Sequence, residues 1–286
     1  MQIKPVHLRT IAVPLILMMV HAIVINLVAD LYSYAYQWIS QSALFPGLAS
    51  WPVYGSRDAL VLQEYPRIAV FFSLALVPLY AMILVLRRSH DPDAVWTRRP
   101  AWSDIWPALS IMIGLLGVTN LIFSLLTRLS QTFPQIDTMM TDYAEQSGAF
   151  GPNIGYGWLI LGITILAPLS EELLFRGIIQ GELRRVLPEW LAVVIQALLF
   201  ALFHWQPVQV IYVILPALAL GALYALTRSI WVPILMHMVF NFLGSVLPSL
   251  IGSDEILNTI VVLTEFAFIG VGLIAGTALA LRRRET

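Results

Sequence analysis

The sequence predicts an all-α protein, a polytopic integral membrane bundle of about eight transmembrane helices. Three observations predict it. Of the 286 residues, 59% are hydrophobic and only 12% are Asp, Glu, Lys or Arg, about half the charged share of a soluble domain. The apolar residues fall into long runs, and a spanning helix needs roughly 20 of them. Arginines and acids alternate from loop to loop, the arginine excess marking cytoplasmic loops.

In chain order the segments are Ile11–Asp30, Ile68–Leu86, Ile105–Leu126, Trp158–Gly181, Trp190–His204, Val208–Leu226, Trp231–Leu250 and Ile256–Leu281. The first follows Met-Gln-Ile-Lys-Pro-Val-His-Leu-Arg and runs far past the length of a signal-peptide core. No small-residue cleavage site follows, so it is expected to stay attached as a span. Between the first two segments "SALFPGLASWPVYGSRD" reads as an interfacial loop. The fifth segment is short and the fourth long. No internal repeat or low-complexity tract is evident, so residues 1–286 form a single transmembrane domain.

With eight spans and a cytoplasmic N-terminus, the inner side receives Lys4, Arg9, Arg87, Arg88, Arg98, Arg99, Arg184, Arg185, Arg228 and Arg282 to Arg284. The outer side receives Arg57, Arg67 and Arg128 beside Asp58, Glu64, Asp137, Asp142, Glu145, Asp254 and Glu255. A multi-pass protein of the cell (inner) membrane with both termini cytoplasmic is the expectation. The formal net charge of -1 argues against a nucleic-acid partner. With no cysteine, disulfides, thiolate zinc sites and a cysteine nucleophile are excluded together.

Inside the fourth segment stands "LAPLSEELLFRG", from Leu166 to Gly177. A charged side chain at the bilayer centre costs about 2.5–3.5 kcal/mol even on the lenient insertion scale. Glu171, Glu172 and Arg176 must therefore face the bundle interior or a wet cavity. Glu172 and Arg176, four apart, share a helix face and can pair. Glu171 lies about 100° around the helix, without a local cation, as a candidate base. A purely structural ion-pair cluster explains the same residues.

Two further stretches carry polar groups. In "LLFALFHW", His204 follows Phe200 by four residues, and in "MHMVFNF", His237 and Asn241 share one face. A histidine at the end of a span is commonly an interfacial residue. A helix–helix polar contact explains the second pair, as does an oxyanion-binding or metal-ligating role. Glu171, His204, His237 and Asn241 together supply what water activation and a tetrahedral intermediate require. There is no H-E-x-x-H, G-x-S-x-G, P-loop or G-x-G-x-x-G. His21, Asn26, Asn120, Gln196 and Glu265 read as structural contacts, with Glu265 able to approach the site.

"EELLFR", "FALFH" and "HMVFN" resemble the three motifs, E-E-x-x-x-R, F-x-x-x-H and H-x-x-x-N, of the CAAX prenyl endopeptidase and bacteriocin-processing (CPBP) intramembrane protease family. Pro168, Phe175 and Gly177 are also similar to its members. The resemblance covers a core of residues 158–243, and the other spans select no subfamily. It implies a membrane-embedded, CAAX-prenyl-protease-like endopeptidase. In it Glu171 activates water assisted by His204, and Glu172 and Arg176 hold the first motif in shape. His237 and Asn241 would form the oxyanion side, or His237 would ligate a metal. The family is described both as metalloproteases and as glutamate-dependent, metal-free enzymes. The cofactor is thus a divalent metal such as zinc, with His204, His237 and Glu171 as candidate ligands, or none. The implied substrate is a peptide or protein, lipidated or membrane-bound.

Two alternatives stand beside this: a non-catalytic membrane partner or immunity scaffold, and a proton-coupled transporter, which would favour repeats. Counting rises of about 1.5 Å per residue, Glu171 sits near mid-membrane, His237 nearer the inner side and His204 toward the outer end of its span. A common site then requires tilted helices, a displaced boundary or a deep cavity.

Overall fold

The computed structural model describes residues 8–41, 52–148 and 155–283. Much of the expected interfacial loop, residues 42–51, lies outside the described residues. Among the described residues, seven helices are long and apolar enough to cross a membrane: α1 (Leu8–Gln41), α2 (Arg57–His90), α3 (Trp102–Ser130), α5 (Tyr156–Leu183), α7 (Pro207–Thr227), α8 (Trp231–Ile251) and α9 (Glu255–Arg282). Two shorter helices are α4 (Pro134–Gly148) and α6 (Glu189–Leu202). Among the described residues there is no strand, only an isolated antiparallel bridge between Thr97 and Ser229.

Seven of the eight expected segments are these long helices, and the remaining one, expected to be short, is α6. The fifth apolar segment is a 14-residue helix, about 21 Å long against a hydrocarbon core of about 30 Å. It starts after Pro188 and ends where Trp205 takes a left-handed backbone (φ 59°) ahead of Pro207. α4 was not expected. It has no buried residue, and its polar composition gives no spanning signal.

Ion pairs define the two ends of the bundle. At one end, Glu182 after the α5 site segment meets Arg87 of α2 at 2.6 Å and Arg9 of α1 at 3.5 Å. Nearby, Asp104 at the start of α3 meets Arg98, Arg282 of α9 at 2.8 Å and Arg283 at 3.5 Å. The side chain of Arg98 also donates to the Thr227 carbonyl at the end of α7. The start of α1 and the end of α9 therefore lie at this arginine-rich end. At the opposite end, Asp30 pairs with Arg57 at 2.7 Å, and the Tyr156 hydroxyl donates to the Ser249 carbonyl. There the buried Glu64 accepts from Tyr32 and Tyr54, each at 2.9 Å, and pairs with Arg67.

α1 faces outward with Leu15, Ile16, Met19, Ile23, Leu27 and Leu31 exposed, as a lipid-facing helix must. Behind it, α2 and α5 carry the core of Phe72, Leu76, Tyr80, Leu174, Phe175 and Ile178. A second core joins α3, α7 and α8 around Met112, Leu220, Leu223, Val232 and Met236. α6 and α7 form a hairpin rooted at the arginine-rich end, where Gln180 donates to Glu189 at 3.0 Å and to the Gly221 carbonyl at 3.1 Å.

Small residues let helices touch backbone to backbone, the usual device where lipid supplies no hydrophobic drive between helices. A Cβ on Gly162 would stand 2.1 Å from the Pro66 carbonyl oxygen of α2. One on Gly117 would stand 2.6 Å from the Glu265 carbonyl oxygen of α9. Gly162→Val must push α5 off α2 at a cost on the order of 2 kcal/mol. Melting in detergent should fall for Gly162→Val and hold for Gly157→Val, since nothing lies within 4 Å of Gly157.

Candidate active site

The site begins with the winding of α5. Residues Leu159–Leu166 and Leu173–Gln180 are π-helical, and the α-helical turn Ala167–Glu172 between them carries both glutamates. Pro168 explains a consequence of that winding. In the first wide stretch the Ala167 N–H reaches back five residues to the Gly162 carbonyl. The next bond in this pattern would run from residue 168 to the Ile163 carbonyl, but proline has no N–H. Ile163 instead accepts from the Asn241 side-chain Nδ2 at 2.9 Å. A polar residue on α8 thus satisfies the carbonyl that a proline on α5 orphans.

Glu172 is fully buried, as is Arg176, and Arg176 Nη1 donates to Glu172 Oε1 at 2.6 Å. Arg176 Nη2 donates to the Ala217 carbonyl of α7 at 3.0 Å, and the guanidinium lies 4.7 Å from the Phe200 ring centre of α6. The same Glu172 Oε1 meets His237 Nδ1 of α8 at 2.8 Å. One carboxylate thus ties α5 to itself and to α8, while its arginine ties α5 to α6 and α7.

The bond to Glu172 fixes His237 with Nδ1–H toward that carboxylate and Nε2 toward Glu171, 3.7 Å from its Oε2. His204 Nδ1 lies 2.9 Å from the Phe200 carbonyl oxygen. A carbonyl can only accept, so this nitrogen carries the proton and Nε2 keeps its lone pair.

Glu171 and His204 line two cavities that share Tyr65, Phe200, Gln209 and Tyr212. The smaller, about 130 Å³, is also lined by His237 and Asn241. The larger, about 280 Å³, extends to His21 of α1 and Phe72 of α2, and Tyr143, Gln146 and Ser147 of α4 line it. Glu171, His204, His237 and Asn241 are therefore gathered around connected space, with Glu172 and Arg176 behind them.

The depth problem posed by the sequence is resolved by α6. Because that helix is short, His204 just past its end lines the same cavities as Glu171. Tyr143 closes over the hairpin tip, its ring centre 6.0 Å from that of Tyr212 and 5.3 Å from that of Phe123.

Tyr65, Gln209, Tyr212, Tyr143 and Gln146 line the cavities without having been singled out in the sequence. Tyrosine and glutamine in apolar helices carry no distinguishing pattern, and α4 had no signal at all. Of the other polar residues, Glu265 does not approach the site. It accepts from Asn120 at 2.6 Å, joining α9 to α3. Asn26 donates within its own helix, and Gln196 donates to the Val193 and Ala217 carbonyls.

Among the described residues no group of three or more His, Cys, Asp or Glu side chains is arranged to hold a metal ion. His237 Nδ1 is engaged by Glu172 and His204 Nδ1 by Phe200, so only the Nε2 atoms and Glu171 are left to the cavity. In this geometry they do not fit a closed metal centre, and no step is derived through one.

Fold and site define a polytopic membrane protein with a buried glutamate–histidine centre. Residues 153–243 match the family model described as Rce1-like, "Type II CAAX prenyl endopeptidase Rce1-like". A protein of Bacillus subtilis (strain 168), "Putative membrane peptidase YdiL", is 31% identical over 83 residues, which are 29% of this chain and 34% of that protein. The chain thus covers about a third of that relative's length. No solved structure matches. Over that core segment, which carries "EELLFR", "FALFH" and "HMVFN", the chain is similar to the Rce1-like family and to that peptidase.

Removing Glu172 would strand a buried guanidinium, a change that costs about 3–5 kcal/mol. Glu172→Ala should lower detergent melting sharply. Arg176→Met on top should recover part of the loss, because the double variant buries no unpaired charge. A double-mutant cycle on melting temperatures reads the coupling.

Proposed function

We propose that the chain is an intramembrane endopeptidase in which Glu171 and His204 activate water. The observation that carries the reading is the meeting of Glu171, His204 and His237 at one cavity, from three helices. His237 Nε2 faces Glu171 at 3.7 Å and is held there by the Glu172 carboxylate, as a base is held by its orienting partner.

In the proposed reaction, a water in the cavity donates a hydrogen bond to Glu171, with His204 Nε2 as the second acceptor. Glu171 takes the proton as the water oxygen bonds to the substrate carbonyl carbon. The carbonyl π electrons move to oxygen, and that oxyanion accepts from the Asn241 amide proton not used by Ile163. The proton on Glu171 passes to the leaving nitrogen as the C–N bond breaks. A carboxylic acid and an amine leave, and Glu171 is again a carboxylate.

The substrate is a peptide or protein in or at the membrane, lipidated or not. The test uses the purified full chain in detergent and a library of quenched peptides, some lipidated. Glu171→Gln should reduce cleavage by about 10²–10⁴-fold, the usual share of a general base, with His204→Ala falling in the same direction. Cleavage insensitive to chelator supports the glutamate-driven route, and loss with chelator supports a metal bound by these residues. Cleavage surviving Glu171→Gln would sink the assignment and favour a site elsewhere. If only non-catalytic association is found, the scaffold reading replaces it.

We also propose that the arginine-rich end is cytoplasmic, so both termini face the cytoplasm of a cell membrane. The excess of Arg87, Arg88, Arg184 and Arg185 at that end, against Asp254 and Glu255 at the other, supports it. Because the chain has no cysteine, single introduced thiols report sidedness cleanly. In intact cells Ser253→Cys should react with an impermeant maleimide, and Ser89→Cys only after permeabilisation.

A further inference from the structure

His21 has no role so far. It lies in the middle of α1, is 1% exposed, and sits inside an aromatic box of Phe72, Tyr80 and Phe203, with ring centres 6.2, 6.0 and 5.2 Å away. Its Nδ1 is buried without a hydrogen-bond partner, and the described residues supply none to the ring. Buried polar groups in native proteins are nearly always partnered, and a polar side chain facing an apolar helix interior is costly otherwise. A phenylalanine would fill the same box without that cost.

The ring lines the larger cavity, whose other wall holds Glu171 and His204. Between these walls the lining is largely aromatic, from Tyr65, Phe72, Phe200, Phe203 and Tyr212. The chamber therefore offers hydrogen bonds at its reactive wall and at His21, with apolar surface between. That is the pattern of a ligand site, where a few placed polar groups set orientation.

We infer that His21 is a second polar station of the cavity, hydrogen-bonding the backbone amide of the bound peptide away from the bond that is cut. The inference rests on the endopeptidase reading and deepens it. His21 is a substrate-positioning residue. An imidazole suits the task because one ring nitrogen donates and the other accepts, so it can engage either the C=O or the N–H of a peptide unit.

The experiment compares wild type, His21→Phe, His21→Gln and Glu171→Gln on the best-cleaved quenched peptide of the library. Melting in detergent accompanies each variant. His21→Phe should raise KM roughly tenfold, equivalent to about 1.4 kcal/mol, with kcat within about twofold and melting unchanged or raised. His21→Gln, which keeps a donor and an acceptor, should recover part of the KM. Unchanged KM, lowered melting for His21→Phe, or a fall in kcat as deep as that of Glu171→Gln would each overturn the inference.

A second arm measures fluorescence anisotropy of the same labelled peptide on Glu171→Gln protein, with and without His21→Phe. Weaker binding in the double variant supports the station even if no form cleaves, a result that would count against the endopeptidase reading alone. Equal binding overturns the station. A peptide neither bound nor cleaved by any form overturns both.

Discussion

The hydrogen-bonded unit on Glu172 is the interaction on which the rest of the site depends. A fully buried carboxylate in a membrane bundle is tolerable only if it is paired, and here one oxygen takes both Arg176 and His237. Arg176 in turn donates to the Ala217 carbonyl and lies over the face of Phe200. Four helices of the site are reached through this unit: α5 directly, α8 through His237, α6 through Phe200, α7 through Ala217. Desolvation makes such a unit expensive to assemble. It is therefore better understood as the device that sets helix register and imidazole orientation than as a source of net stability.

That role separates two adjacent glutamates with similar sequence surroundings. Glu172 is fully buried, with its Oε1 held by Arg176 and His237. Glu171, one step around the helix, keeps a quarter of its side chain accessible and faces the cavity beside the His237 ring. The division of labour follows from geometry rather than from chemical difference. A helix turn of about 100° per residue sends one carboxylate into the inter-helix seam and the other into the open space beside it.

Much of this was legible in the sequence, for physical reasons that can be named. Apolar length gave the spanning helices because lipid enforces it, and charge in an apolar run exposed Glu171, Glu172 and Arg176 because lipid penalises it. The i, i+4 spacing joined Glu172 to Arg176. It could not show that Glu172 is shared with His237, since that contact bridges 65 positions and depends on how α5 and α8 pack. Nor could it show that Asn241 serves the carbonyl orphaned by Pro168, because the wide turns that create the vacancy for a donor have no simple sequence mark. The fifth segment, short already in the sequence, is α6, but it ends at Leu202 rather than His204 because hydropathy measures how apolar a stretch is. It does not measure where Trp205 and Pro207 stop the helix.

The short α6 has a consequence for chemistry. A peptide bond can be hydrolysed inside a membrane only where water and polar side chains share a protected volume. A full-length sixth helix would have carried His204 to the interface, away from Glu171, and filled the space above with apolar side chains. Ending it after about four turns places His204 in the turn before α7, where it lines the cavities beside Glu171. Gln206 turns its side chain back to cap Gln209, so the turn satisfies part of its own backbone. Tyr143 and Tyr212 then close the chamber with rings that bear hydroxyls, a boundary both apolar enough to keep the site apart from bulk solvent and polar enough to keep it wet. The shortness of α6 is thus the feature that brings histidine and glutamate to the same cavities.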